Sequence, residues 1–507
     1  MGEGDFMFHS IKDIIVTSAE RYGTDDAFRY KIGPKSIEAK TYAQVREDSE
    51  HFSLALEELG ETGSHIAVTG ATSYSWIITY FGVVNSGSVA VPLDASLPAA
   101  DVCELLDRAD VTTFVYDELR KDVAELAREA CPKIKHYISM QKEASDDEAL
   151  SLWEIVNRQQ GGCDIAPDPD ALCTIMFTSG TTGKSKGVML TQRNLAENAT
   201  CMDVGVEAHS VTLSVLPIHH AFCLSVDILM GLSLGLVICI NDSLMRVVKN
   251  IKLFEPDICL MVPLMIETIA KKLEEVQGLP KKLVKMQVFG KRFYRIYSGG
   301  AYLNPDYIEL LGKYGIEIVE GYGMTECSPI ISMNLPGNSK LGSVGMLMPN
   351  CEAKIVDEEI WVRGSSVMQG YYHMPQETAE TLEDGWLKTG DLGYVDEDGF
   401  LFLTGRKKNL IITKNGENVS PEELENIIGS ERIVQEILVR EREGLIEAEI
   451  FPDYAYAEKK HIKDVQAALQ EIIDTYNRTA APYKKVHSLI VRETEFDKTT
   501  SKKIKRF

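Results

Sequence analysis

The chain has 507 residues, 44% of them hydrophobic and 25% charged, with a net charge of −23. That length predicts about three domains of roughly 100–200 residues each, and the composition excludes a disordered or fibrous chain. So acidic a surface repels a phosphate backbone, which excludes general nucleic-acid coating; an anionic ligand has to be met by a local cluster of donors and cations.

Met1 to Asp13 carries acidic residues and lacks the basic start and apolar run of a signal peptide, so none is expected. Phe6 stands where N-myristoylation would need Ser or Thr. Apolar runs at His65–Thr69, Thr113–Tyr116 and Thr174–Thr178 predict buried strands, and stretches at Ala43–Leu59, Ala99–Arg108 and Leu264–Val276 predict helices between them. This alternation predicts an α/β body with mostly parallel sheets. Phe222 to Ile240 is mostly apolar and imitates a membrane span. Asp227 interrupts it, however, and Gly231 and Gly235 fit a helix end before the strand-like run Leu236–Ile240. A buried helix plus strand is expected there, with membrane association as the other reading.

From about Gly342 to Leu403 short β-rich pieces with turns such as Asp396-Glu-Asp-Gly399 predict a β subdomain. The expected division is a large domain over 1–404, including this subdomain at about 342–404, and a small α+β lid domain over 405–507. The lid is predicted to carry helices at Pro421–Ile428 and Glu458–Tyr476 and to move about a hinge near 406–408. The ten cysteines, Cys103 to Cys351, form no C-x-x-C pair, which predicts reduced core residues rather than a disulfide or zinc framework. A cytoplasmic protein with no transmembrane segment is the default expectation.

Phe177-Thr-Ser-Gly-Thr-Thr-Gly-Lys-Ser-Lys-Gly-Val188 follows an apolar strand and concentrates hydroxyls, glycines and two lysines. Glycines let backbone N–H groups converge on one anion, and hydroxyls and ammonium groups add charge-assisted donors. A flexible surface loop is the plain alternative, opposed by the strand before it and the lysine density. A Walker A loop needs Gly where Thr178 stands, so this is a phosphate loop of another kind.

The segment resembles the signature loop of the adenylate-forming superfamily, which includes acyl-CoA synthetases, peptide-synthetase adenylation domains and luciferases. Ser185 stands where that family usually has Pro. The resemblance extends over nearly the whole chain, because further motifs follow in the family's order and spacing. It implies that Thr178, Ser179, Gly180, Thr181, Thr182, Gly183, Lys184 and Lys186 bind the phosphates of ATP.

Ser298-Gly-Gly-Ala301 precedes a helix starting near Asn304; two glycines let a flat ring lie on bare backbone, and a tight strand–helix turn explains them equally well. In Glu320-Gly-Tyr-Gly-Met-Thr-Glu326 a Tyr between glycines can face a base, a Thr hydroxyl can reach a phosphate, and a carboxylate can hold Mg²⁺. By resemblance Gly299, Gly300, Ala301, Tyr322 and Gly323 line the adenine, Thr325 meets the α-phosphate and Glu326 holds the metal. Asp391, in Trp386-Leu-Lys-Thr-Gly-Asp391, resembles the family's ribose-binding carboxylate, Arg406 the Arg that also touches the ribose, and Lys408 the pivot residue. Without the other motifs each of these three is a surface charge.

Leu216-Pro-Ile-His-His-Ala-Phe222 carries adjacent histidines, which are as compatible with a structural role as with chemistry. The resemblance selects His220 as a gate or orienting group beside the carboxylate and the incoming thiol. Amino-acid-activating relatives place Asp immediately after that position; here it is Ala221, which disfavours an α-amino acid. Near the end, Asp497-Lys-Thr-Thr-Ser-Lys-Lys-Ile504 resembles the family's terminal motif with Asp497 for Pro and Lys502 for Gly. Lys503 then takes the place of the adenylation lysine, with Lys502 the fallback in register.

What the resemblance implies is ATP-dependent activation of a carboxylic acid to an acyl adenylate, followed by transfer to coenzyme A, with ATP, Mg²⁺ and coenzyme A required. A fatty acid is the first expectation for the acid and an aryl acid the second. Transfer to a carrier-protein phosphopantetheine ends in the same thiol arm and is not separated by any residue above. Two readings from other classes are a P-loop kinase or NTPase, opposed by the missing glycine, and an inactive membrane-peripheral scaffold, opposed by the complete motif set.

Overall fold

Runs such as Val237–Ile240 and Ile258–Met261, in which every residue is buried, fit the interior of a parallel sheet covered on both faces. A computed structural model describes residues 7–33, 36–178, 184–276, 278–413, 416–498 and 504–506. It places two such sheets in a first unit, Met1–Ala353 with Val362–Leu387. One sheet has nine strands in the order Met346–Leu347, Ile330–Met333, Glu317–Gly323, Arg295–Ser298, Ile258–Met261, Val211–Ser214, Val237–Ile240, Asp26–Lys31, Ile37–Thr41. Its strands from Glu317–Gly323 to Asp26–Lys31 run parallel, and those at either edge run antiparallel. The other has eight, in the order Gly370–Tyr371, Lys186–Thr191, Leu172–Thr178, Val89–Leu93, His65–Thr69, Thr113–Tyr116, His136–Ser139, Leu150–Ser151. It is parallel from Leu172–Thr178 outward, while Lys186–Thr191 turns back antiparallel. The α/β body with mostly parallel sheets is as expected.

Two expected strands, His65–Thr69 and Thr113–Tyr116, and the helix Ala99–Arg108 have the bounds read from the sequence. The apolar stretch from Phe222 folds as a π-helical run Cys223–Met230, a short helix Gly231–Ser233 and the strand Val237–Ile240. The turn between them needs Gly235, whose φ is +74° and whose Cβ would fall 2.5 Å from the Tyr22 ring. Among the described residues no helix is long and apolar enough to cross a membrane. Every one of the ten cysteines is free, and all but Cys201 are buried.

Asp227, which breaks the apolar stretch, is itself buried. Thr212 Oγ1 donates to its Oδ1 at 3.4 Å, and Oδ2 has no hydrogen-bond partner. Burial pushes its carboxyl up to about 7, against the lowering effect of Ser214 and Thr212.

The second unit comprises Lys354–Trp361 and Lys388–Phe507. Asp391 to Val395 pairs antiparallel with Leu401–Arg406, and the N–H of Gly399 closes the turn by donating to the Asp396 carbonyl at 3.1 Å. Beyond it a three-stranded sheet, Val434–Arg442, Leu445–Pro452 and Val486–Val491, packs with helices Pro421–Gly429 and Val465–Thr479 around Leu424, Ile428, Ala448, Leu469 and Ile473. The single helix expected at Glu458–Tyr476 is instead two, Tyr454–Lys459 and Val465–Thr479. His461 takes a left-handed φ of 57°, and Asp464 then caps the second helix by accepting from the Ala467 N–H at 2.9 Å.

Asp227 gives a test of this packing. Its folded pKa is raised above the unfolded value, so the native state holds a proton that the unfolded chain loses between about pH 4 and 7, and stability falls across that window. Asp227→Asn removes the charge without changing shape. It should raise the melting temperature by several degrees at pH 8 and by much less at pH 5 (scanning fluorimetry at both); equal shifts would contradict a buried carboxylate here.

Candidate active site

The phosphate-loop segment is the connection of a hairpin. Thr178 pairs with Lys186 and Phe177 with Gly187, so the loop leaves one strand and returns beside it. Ser179, Gly180, Thr181, Thr182 and Gly183 lie outside the described residues; Lys184 is exposed. Arg108, at the end of helix Ala99–Arg108, holds the returning side: its Nη2 donates to the Ser185 carbonyl at 2.6 Å, and its guanidinium lies 5.5 Å from the Phe177 ring centre.

Lys186 meets a partner that the motifs did not nominate. Its Nζ lies 4.5 Å from the centre of the Tyr371 ring, and Tyr371 Oη donates to Glu326 Oε1 at 2.9 Å. Backbone pairing sets this line. Tyr371 pairs with Val188, the Tyr372 N–H donates to the Gly187 carbonyl at 2.8 Å, and the Met368 N–H donates to the Glu326 carbonyl at 3.0 Å. Burial, reinforced by the Glu326 charge and hydrogen bond, pushes the Tyr371 phenol well above the usual range, so it stays a donor at neutral pH.

Helix Gln192–Thr200 braces the same region from behind. Asn194 Nδ2 donates to the carbonyls of Ser365 (2.6 Å) and Val367 (3.1 Å). Asn198 Nδ2 donates to the Ile330 carbonyl and to Ser366 Oγ, both at 2.8 Å, while its Oδ1 accepts from the Ile330 N–H at 3.1 Å. The strand after the Glu326 turn and the segment Ser365–Val367 are thus tied to the helix that follows the loop hairpin.

Gly299, Gly300 and Ala301 leave the strand ending at Ser298, and the segment Gly321 to Glu326 leaves its parallel neighbour, with Ser298 opposite Glu320. These two predicted segments therefore lie side by side at the carboxyl ends of parallel strands, where ligands of open α/β sheets bind. Phe222 reaches Gly299, where a Cβ would stand 3.2 Å from its ring. Tyr322 is buried, at 7% exposure. Thr325 opens the short turn Thr325–Cys327 that carries Glu326. Ser298 Oγ is buried without a partner, and burial pushes the Glu320 carboxyl up to about 7.

The two histidines follow the strand Val211–Ser214, and Asp94 follows Val89–Leu93 of the other sheet. His220 is exposed and its ring centre lies 4.2 Å from that of His219. His219 Nε2 stands 3.7 Å from Asp94 Oδ2 and has no hydrogen-bond partner. Burial, and next His220, lower the His219 pKa to about 3 despite Asp94. Burial opposes ionisation of Asp94, but His219 and donations from Ser96 N and Oγ (2.8 and 2.7 Å) outweigh it and keep that carboxyl lowered. The exposed His220 thus has a neutral His219 beside it.

In the second unit Asp391 and Arg406 are opposite each other in register, and Arg406 Nε lies 2.7 Å from Asp391 Oδ1. Asp391 is buried and Arg406 half-buried. Lys408 is exposed in the turn Lys407–Asn409, next to Lys407, which pairs with Glu359 at 2.8 Å. Lys502 and Lys503 lie outside the described residues. On either side of them Lys498 bridges Ile504, the Phe496 N–H donates to Glu436 Oε2 at 2.8 Å, and Arg506 pairs with Glu425. Among the described residues no cluster of three or more His, Cys, Asp or Glu could hold a metal. Glu326 thus belongs to no such cluster among the described residues, and a single carboxylate suits an ion that takes its other ligands from phosphates and water.

The His219 environment is directly measurable. Its folded pKa lies below its unfolded value, so it lowers stability as pH falls through about 6.5 towards 3. With selective ¹³C-histidine labelling, and His219→Asn for assignment, its resonance should not titrate between pH 5 and 8. A midpoint near 6.5 would contradict the buried, neutral ring.

An AMP-binding enzyme family model matches residues 15–372, and a model of the AMP-binding enzyme C-terminal domain matches residues 408–507. Long-chain-fatty-acid–CoA ligase FadD15 of Mycobacterium bovis is 28% identical over 455 residues, covering 79% of this chain and 74% of its own. The 4-coumarate–CoA ligase-like 9 protein of Oryza sativa subsp. japonica is 28% identical over 462 residues, covering 85% of this chain and 80% of its own. Among solved structures, the anthranilate CoA ligase AuaEII in complex with anthranoyl-AMP superposes with a TM-score of 0.84 at 21% identity, over 100% of this chain and 98% of that one. The shared fold explains why motifs so far apart in sequence recur in one order here: the chain belongs to the AMP-binding enzyme family.

Proposed function

We propose that this protein activates a carboxylic acid with ATP to an acyl adenylate and then forms the thioester of coenzyme A. The observation that carries the reading is the line Lys186–Tyr371–Glu326 beside the phosphate-loop hairpin, in a chain matched by the AMP-binding family over residues 15–372. A carboxylate oxygen attacks the α-phosphorus of ATP and the bond to pyrophosphate breaks. The thiol of coenzyme A then attacks the acyl carbon, and the carbon–oxygen bond to AMP breaks.

The first step brings two anions together, so positioning and electrostatics dominate. Lys184, Lys186 and the loop from Thr178 to Gly183 would hold the phosphates, with Thr325 at the α-phosphate. Glu326 would hold Mg²⁺, whose charge offsets that of the phosphates. Tyr371 fixes one oxygen of that carboxylate and stays protonated while doing so. Gly299 to Ala301, Tyr322 and Gly323 would line the adenine, Asp391 and Arg406 the ribose, and Lys503 would supply the charge at the reacting phosphorus. The part of the chain beyond about 404–405 would turn about Lys408, to exchange Lys503 for a thiol-accepting face and exclude water. His220 would gate the thiol's approach.

The names of the long-chain ligase relatives favour a fatty acid. The 4-coumarate ligase-like relative and the anthranilate ligase support an aryl acid as the second reading. Ala221 offers no charge to pair with an α-ammonium group. A carrier-protein phosphopantetheine is the alternative acceptor, since it presents the same thiol.

A pyrophosphate-release screen over acids of graded chain length, with and without coenzyme A, tests the reading: AMP and pyrophosphate are expected, and ADP with phosphate would overturn it. Lys503→Ala should abolish acid-dependent ATP–pyrophosphate exchange, by a factor of at least ~10², while sparing thioester formation from supplied acyl adenylate; unchanged exchange would show the lysine misassigned. Arg108→Gln frees the Ser185 carbonyl and should raise the KM for ATP about tenfold, the worth of one charged hydrogen bond, with a smaller effect on kcat. An unaltered KM would remove Arg108 from loop positioning.

A further inference from the structure

The chain's net charge of −23 is unevenly spread: residues 244–292 carry ten Lys and Arg against five Asp and Glu. This basic stretch forms the turn Leu244–Arg246, the helices Val247–Phe254, Pro263–Glu275 and Lys281–Val288, and the strand Ile258–Met261. Helix Val247–Phe254 packs beside Lys281–Val288, so their outer faces are neighbours.

Those faces are not ordinary solvated ones. Helix Val247–Phe254 buries Val247, Asn250, Ile251 and Phe254, at helical spacing, and turns Val248, Lys249, Lys252 and Leu253 outward. The turn before it shows Leu244 and Met245, 63% and 97% exposed. Helix Lys281–Val288 buries Val284 and turns out Lys281, Lys282, Leu283 and Met286, with Leu279 exposed just before it. Three cations of the stretch are paired with carboxylates: Arg246 with Asp242, Lys271 with Glu267, Arg292 with Asp257. Among the described residues Lys249, Lys252, Lys281 and Lys282 have no such carboxylate.

Single exposed apolar side chains need no explanation, but apolar tips interleaved with unpaired lysines on adjoining helices do. At a membrane surface apolar tips enter the acyl boundary while the ammonium groups stay at the phosphates. Charge complementarity selects the lipid: these lysines are drawn to anionic headgroups, while the acidic remainder of the chain is repelled, so this face is the one presented. We propose that the face formed by residues 244–254 and 279–286 docks reversibly on an anionic lipid surface. The inference concerns binding alone and does not depend on the proposed reaction.

The test is co-sedimentation of the full chain, without ATP or acid, with vesicles of phosphatidylcholine and phosphatidylglycerol (about 3:1) or of phosphatidylcholine alone. Binding is expected only to the anionic vesicles, weakening about tenfold or more between ~0.05 and ~0.5 M salt. Combined K249E, K252E, K281E and K282E should lower the partition at least tenfold. Met245→Ser, at a position too exposed to affect folding, should weaken it without changing its salt dependence, and K460E with K463E in the second unit should leave it unaltered. No binding to anionic vesicles, or equal loss in the K460E/K463E control, would overturn the proposal. So would a self-associated protein in solution that the four-lysine variant makes monomeric, or capture of an acidic carrier protein by the same face without vesicle binding.

Discussion

The site depends on a two-residue strand. Gly370–Tyr371 adds to the edge of the eight-stranded sheet beside Met189 and Val188, and that pairing, with the flanking backbone bonds to Gly187 and Glu326, brings Tyr371 between Lys186 and Glu326. The strand exists because Gly370 has no Cβ: one there would stand 2.6 Å from Thr378 Cγ2, at a φ of 143°. Thr378 Oγ1 then accepts the Tyr371 N–H at 2.9 Å. Asn194 and Asn198 brace the neighbouring backbone by donating to the carbonyls of Ser365 and Ile330, which helps keep this cluster of polar groups in one arrangement.

An acidic protein that handles anions has to solve the problem locally. The fold does so at the carboxyl edges of two parallel sheets, where strand ends release loops rather than side-chain layers. Charges close behind that edge are muted. His219 is neutral at physiological pH because burial outweighs Asp94 at 3.7 Å, and burial raises the Asp227 carboxyl to about 7. The cations are left to exposed or half-exposed positions, Lys184 and Lys186, that a ligand can reach.

Much of the body was legible in the sequence because buried parallel strands read as continuous apolar runs: His65–Thr69 and Thr113–Tyr116 needed no context. Lys186, Glu326, Asp391 and Arg406 were legible as members of ordered motifs. The partners that position them were not. Tyr371 reaches Lys186 across a pairing between segments far apart in the chain, Arg108 reaches Ser185 from the end of another helix, and Asn198 reaches Ile330. Neither periodicity nor composition carries such pairings. The break at His461 was missed for a different reason: a lone left-handed residue leaves the apolar spacing on both sides intact.

The central claim, that the carboxylate of an organic acid bonds to the innermost phosphorus of ATP, is tested most directly by isotope. An acid carrying oxygen-18 in both carboxyl positions is converted to its thioester by the enzyme with ATP and coenzyme A, and the AMP is analysed by mass spectrometry. The account predicts AMP bearing one heavy oxygen, left behind when the thiol displaces it from the acyl carbon. Unlabelled AMP, or ADP with labelled phosphate, would contradict it.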